Sequence, residues 1–173
     1  MARIMINDLV GAAIDAALED FVTDSEEMFI PATLFQLGGS ASFGAVNGVP
    51  VVEFGFEATT FAFTSVAVPD SWGTMAQEVE WLNLSPAEGS PRLIGYRGSI
   101  AVGAPLPLTF VQAATAVTPT AAAEDVPILT TLEGEWSLPQ RRVKVGVRRN
   151  QSGSADTLNG GIGVAGMWLR RVS

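Results

Sequence analysis

Residues 142–148 read Arg-Val-Lys-Val-Gly-Val-Arg, a strict alternation that only an extended chain can use. Successive side chains of a strand point to opposite faces. Val143, Val145 and Val147 are therefore expected in a core, with Arg142, Lys144, Gly146 and Arg148 outside, the pattern of a half-buried antiparallel strand. Residues 60–68 alternate in the same way, with Phe61, Phe63, Ser65 and Ala67 on one side and Thr60, Ala62, Thr64, Val66 and Val68 on the other. Short runs rich in Phe, Val, Ile and Thr predict strands at 28–34, 51–56, 60–68, 78–84, 93–100, 108–113, 143–149 and 161–172. The breaks between them (VPDSWG, LSPAEGSPR, GAPLPL, WSLPQ and RNQSGSAD) fall at strand-like spacing, which argues for a β-sandwich or jelly roll. Residues 113–124 hold no large apolar side chain except Val117 and read as a loop or irregular edge.

The first residues follow a different period. Val10, Ile14, Leu18 and Phe21 recur at helical intervals after a capping Asn7 or Asp8, which predicts an amphipathic helix over 7–22. An acidic hinge, 23–27, follows it. The expected fold is all-β, an antiparallel β-sandwich of jelly-roll type preceded by a short N-terminal amphipathic helix: residues 1–27 form the arm and hinge, 28–173 the sandwich. Acids interrupt the apolar N-terminus, so a secretory signal is not expected, and no run approaches the roughly 20 apolar residues of a membrane span.

Composition narrows the chemistry. The 173 residues include no cysteine and no histidine, which removes disulfides, thiolate nucleophiles, the usual structural zinc sites and any imidazole relay. The net charge of −8 disfavours non-specific attraction to nucleic acid or anionic lipid, and a polyanion partner is not expected. The charge is segregated. Between Ile4 and Pro91 there are thirteen acids and no Lys or Arg, whereas from Arg92 onward nine basic residues meet five acids. Either the two halves interleave and neutralise each other within one fold, or an acidic face of one copy meets a basic face of the next.

Few residues remain as candidates for chemistry. Glu78 and Glu80 share a strand face and are the best carboxylate pair for glycoside hydrolysis, but alternating acids on one strand read more simply as a solvated strip. The acids of 23–27 lack the spacing of a calcium loop, and the glycines of 159–163 do not open a helix, as a phosphate cradle requires. No catalytic, cofactor-binding or metal-ligating residue is assigned. Of four tryptophans, Trp72, in the turn Pro69-Asp70-Ser71-Trp72-Gly73, is the best candidate for stacking on a sugar, and Trp81 is expected in the core. Asp156 is expected to accept amides in a turn and to pair with Arg148 or Arg149, while Leu158 plugs the sandwich end.

The succession FEATTFAFTSVAVPDSW, QEVEWLNLSP, RVKVGVRR and SADTLNGGIGVAGMWLRRV resembles the β-sandwich domains of virion accessory proteins of tailed bacteriophages: head decoration or cement proteins, head fibres and tail fibres. The likeness is one of style and order over residues 28–172, with no diagnostic motif. It implies a non-enzymatic structural protein made in the host cytoplasm and displayed on the particle exterior as a homotrimer, decorating the shell. The implied partners are further copies of the chain and the major capsid protein or another virion protein, with no cofactor, no nucleic acid and no membrane insertion. Ile14, Leu18 and Phe21 would anchor such a protein, and Arg141, Arg142 and Lys144 would add a basic subunit contact. The alternative is a short head- or tail-fibre protein that binds host-surface polysaccharide, with Trp72 at the glycan.

Overall fold

The computed structural model describes residues 26–56, 60–99, 111–112, 116–120, 123–137, 142–151 and 155–173. The helix expected over 7–22, with Ile14, Leu18 and Phe21, lies outside the described residues, as does Arg141. Eleven strands are formed: β1 (Glu27–Pro31), β2 (Gln36–Gly39), β3 (Ser42–Val46), β4 (Val49–Phe54), β5 (Thr60–Ala67), β6 (Thr74–Asn83), β7 (Leu93–Ser99), β8 (Val111–Gln112), β9 (Ile128–Ser137), β10 (Arg142–Arg149) and β11 (Ile162–Arg171). They make two antiparallel sheets. The first runs β3-β4-β11-β6-β9, with β1 also on β11, and the second runs β2-β5-β10-β7-β8. The long strand β11 takes β4 along Ile162–Val164 and β1 along Gly166–Arg170 on one edge, and a bulge at Ala165 in its pairing with β6 separates the two stretches.

The two sheets close on one core. Val52, Phe54, Met75, Val79, Trp81 and Met167 from the first meet Ala62, Leu93, Val143, Val145 and Val147 from the second, all of them fully buried. The alternation of β10 is realised as the sequence predicts. In β5 the smaller set, Thr60 and Ala62, faces the core, and the phenylalanines face outward. Two polar side chains work inside this core. The indole of Trp81 donates to Thr130 Oγ1 at 2.8 Å, and Gln77 on β6 donates across the sandwich to the Gly146 carbonyl on β10 at 2.8 Å. Arg97 also points inward on β7, and burial lowers its guanidinium below the ordinary value.

Three strands were not expected. β2 is four residues with two glycines, and β9 contains Gly134 and acids that blur its period. β3 joins β4 through Asn47 and Gly48, at φ 50° and 83°, so the turn has the left-handed backbone at both central residues that a tight two-residue hairpin demands. Trp72 requires a correction. Its turn forms, with Trp72 N donating to Pro69 O at 3.2 Å, but the indole is only 4% exposed and belongs to the core, so it offers no face to a sugar.

One end of the sandwich is closed by a buried ion pair. Arg149, the last residue of β10, turns inward and binds Asp156 through both carboxylate oxygens, Nε–Oδ2 at 2.9 Å and Nη2–Oδ1 at 3.0 Å, with side-chain exposures of 0% and 1%. Its other donors reach the carbonyls of Gly160 and Leu158, and Asp156 also accepts the Arg92 amide. Of the two expected partners, Asp156 therefore takes Arg149, and Leu158 beside it is fully buried. Removing one member of a buried pair strands the other charge. Arg149→Met should accordingly lower unfolding stability by about 3–5 kcal/mol, read as a fall in the denaturation midpoint. Arg149→Lys should lose most of the same amount, because an ammonium cannot reproduce the bidentate fork; a lysine variant as stable as the parent would contradict this account.

Candidate functional site on the outer face of the second sheet

The register sets the outer face of the second sheet. One row across it reads Gln36, Phe63, Gly146, Tyr96, and the next reads Gly38, Phe61, Arg148, Ile94. Each row carries aromatic side chains beside a glycine. The Phe61 ring lies over Gly38, where a Cβ would come within 2.1 Å of it. At Gly146 a Cβ would stand 2.6 Å from the Ala62 carbonyl oxygen and 2.9 Å from the Phe63 Cβ. The two phenylalanine rings are roughly parallel, 6.0 Å apart with 21° between their planes.

Between these rings and Tyr96 the missing side chain of Gly146 leaves a trough. Phe63 and Tyr96 stand on strands two spacings apart, about 10 Å, and the strand between them presents only backbone at that row. The resulting cavity of about 270 Å³ is walled by Phe61, Phe63, Tyr96 and Arg148 and floored by Ala62, Gly146 and Val147. Arg148 Nη1 donates to the Tyr96 hydroxyl at 3.0 Å, which holds the guanidinium plane at the rim. Lys144 Nζ sits 4.3 Å from the centre of the Phe63 ring, a cation–π contact. A concave apolar surface with a few placed polar groups is the usual form of a small-ligand site. This one presents flat apolar rings on one side and hydrogen-bonding groups on the other.

The opposite outer face is acidic and differently organised. Glu78 accepts from Arg170 Nε at 2.5 Å and from Thr131 at 3.0 Å, and Arg170 also reaches Glu27 at 2.6 Å. Glu80 accepts the Trp168 indole N–H at 3.2 Å, and the Phe29 ring packs 4.7 Å from Trp168. Glu78 and Glu80 do share a face, and each is tied into a contact on an open sheet. Among the described residues no group of three acids converges as a metal-ligand set. The segregated charges of the sequence are thus partly interleaved, through Arg149–Asp156 and Arg170 with Glu27 and Glu78, and partly displayed on opposite faces.

Of the residues singled out in the sequence, Arg142 is exposed at the start of β10 and Lys144 lies at the trough, while Asp156 and Leu158 close the sandwich end. Phe61, Phe63, Tyr96, Gly146 and Arg148 were not recognised as a site. A signal was present: in residues 60–68 the bulky aromatic set alternates against a set of small and β-branched residues that suffices to fill a core.

No protein-family model matches the chain, and no curated protein matches it. Solved structures do share its shape. A family 35 carbohydrate-binding module from Clostridium thermocellum is 13% identical with a TM-score of 0.58, over 84% of this chain and 98% of the module. The CBM36-1 domain of a multidomain xylanase from the hindgut metagenome of Trinervitermes trinervoides is 8% identical with a TM-score of 0.55, over 85% and 98%. The insecticidal delta-endotoxin Cry8Ea1 of Bacillus thuringiensis is 10% identical with a TM-score of 0.57, over 87% of this chain and 25% of the toxin. None of these three is a virion protein. At such identities the likeness is one of fold: the chain is an all-β antiparallel sandwich of two sheets, similar to jelly-roll carbohydrate-binding modules.

Proposed function

We propose that this chain is a non-enzymatic adhesion domain that holds a polysaccharide in the trough over Gly146. The observation that carries this reading is the wall of parallel Phe61 and Phe63 rings facing Tyr96 and Arg148 across a strand stripped of its side chain. Sugar rings have apolar C–H faces that lie on aromatic planes and a rim of hydroxyls that hydrogen-bond to fixed polar groups, and the trough presents both partners at the spacing of one ring. Two of the modules that share the fold are named for carbohydrate binding, which supports the reading. The setting implied by the sequence resemblance, the exterior of a phage particle, is proposed with it: the domain would act as a fibre or accessory protein gripping host-surface polysaccharide.

A second reading, a capsid-decorating protein, has an observation of its own. The edge hairpin of β3 and β4 exposes Phe43 at 56% and Val49 at 52%, apolar surface suited to a protein contact on the shell or between the copies of a homotrimer. Co-sedimentation with capsids that survives alanine at both positions would remove it.

Retention of the purified protein on immobilised polysaccharides tests the main reading. Phe61→Ala with Phe63→Ala should weaken retention by at least about tenfold. Stability should fall by only about 1 kcal/mol per half-buried ring, read by thermal unfolding. Gly146→Ala should also abolish retention, because its methyl displaces Phe63 or the Ala62 backbone. Unchanged retention in the folded double variant would overturn the assignment.

A further inference from the structure

We propose that the polysaccharide taken by this trough is anionic, bearing carboxylate or sulfate groups, and that Lys144 and Arg148 read its charge. The inference rests on the polysaccharide-binding reading and adds the ligand's chemical class. The outward positions of β2, β5, β7 and β10 hold Arg142, Lys144 and Arg148 and, among the described residues, no carboxylate. The carboxylates Glu27, Glu53, Glu78 and Glu80 stand on the outer face of the other sheet.

The net charge of −8 does not decide the matter. Sheets of a sandwich pack about 10 Å apart, so the two outer faces are separated by more than the Debye length of about 8 Å at physiological ionic strength. A ligand in the trough therefore meets the local sign.

The placement is specific as well as basic. Lys144 and Arg148 lie four residues apart on β10, about 13 Å along the strand, with the Gly146 floor midway between them. The two cations stand at either end of the aromatic wall, where charged substituents of a chain lying along β10 would arrive. The Tyr96 hydroxyl orients the Arg148 guanidinium without neutralising it, and a fixed guanidinium plane suits a planar carboxylate or a sulfate.

Calorimetric titration of the whole protein with polygalacturonate, dextran sulfate, dextran and polyglutamate separates the possibilities. The expected result is binding to polygalacturonate or dextran sulfate at least about tenfold tighter than to dextran, weakening as salt rises; the stronger of the two identifies the charged group. Arg148→Gln and Lys144→Gln should each weaken that binding about fivefold or more and flatten its salt dependence, while residual dextran binding stays unchanged. Equal affinity for dextran and the charged polymers, or insensitivity to both substitutions, overturns the anionic assignment and leaves the polysaccharide reading standing. Polyglutamate bound as tightly as polygalacturonate overturns it too, since the trough would then read charge without sugar. Absence of binding to every polysaccharide overturns both.

Discussion

The register of β10 decides what this protein shows to the world, and the buried pair of Arg149 with Asp156 holds that register. Arg148 and Arg149 are neighbours with opposite fates: one guanidinium stands at the rim of an open trough, and the other is sealed at 0% exposure. A slip of one residue would exchange them, drive Lys144 and Arg148 into the core and expose the valines. Hydrophobic alternation already opposes that slip. The pair adds a directional constraint, since only a guanidinium entering from β10 can meet both oxygens of Asp156 and the carbonyls of Leu158 and Gly160 together.

With that register fixed, the outer face follows from the placement of glycines. Gly38 and Gly146 are needed because aromatic rings or neighbouring backbone occupy the space that a Cβ would fill. The same logic recurs on the other sheet, where the Phe29 ring lies over Gly166. There the aromatic pair is bound into a network with Glu80, and its neighbour Glu78 is bound to Arg170, whereas on the second sheet the missing side chain opens a recess. Gly146 also ties outside to inside, because its carbonyl accepts the Gln77 amide from across the core. The floor of the trough is thus held by the sandwich interior rather than by a loop.

Much of the fold was legible because period-two alternation needs no partner to be recognised: β5, β7, β10 and β11 fall close to their expected limits. The hairpin of β3 and β4 was missed although Asn47-Gly48 is among the strongest short turn signals; the small residues around it drew attention away. β2 was missed for a physical reason, since four residues with two glycines have little intrinsic strand character and exist because β5 templates them. The site was less legible than the fold. Alternation says that Phe61 and Phe63 share a face, but which face is the core depends on packing against strands far away in sequence. Trp72 misled for the converse reason: a turn residue is expected at the surface, yet this turn folds back over the sandwich and buries its indole.

The account joins a scaffold shared with carbohydrate-binding modules to a basic, aromatic trough that is a feature of this chain's own residues. Its central claim is the location of ligand contact, and the most direct measurement is the amide chemical-shift map of the folded protein titrated with an oligogalacturonide. The account predicts perturbations concentrated at Phe61, Phe63, Tyr96, Gly146 and Arg148. Perturbations confined to the opposite face around Phe29 and Trp168, or to the ends of the sandwich, would contradict it.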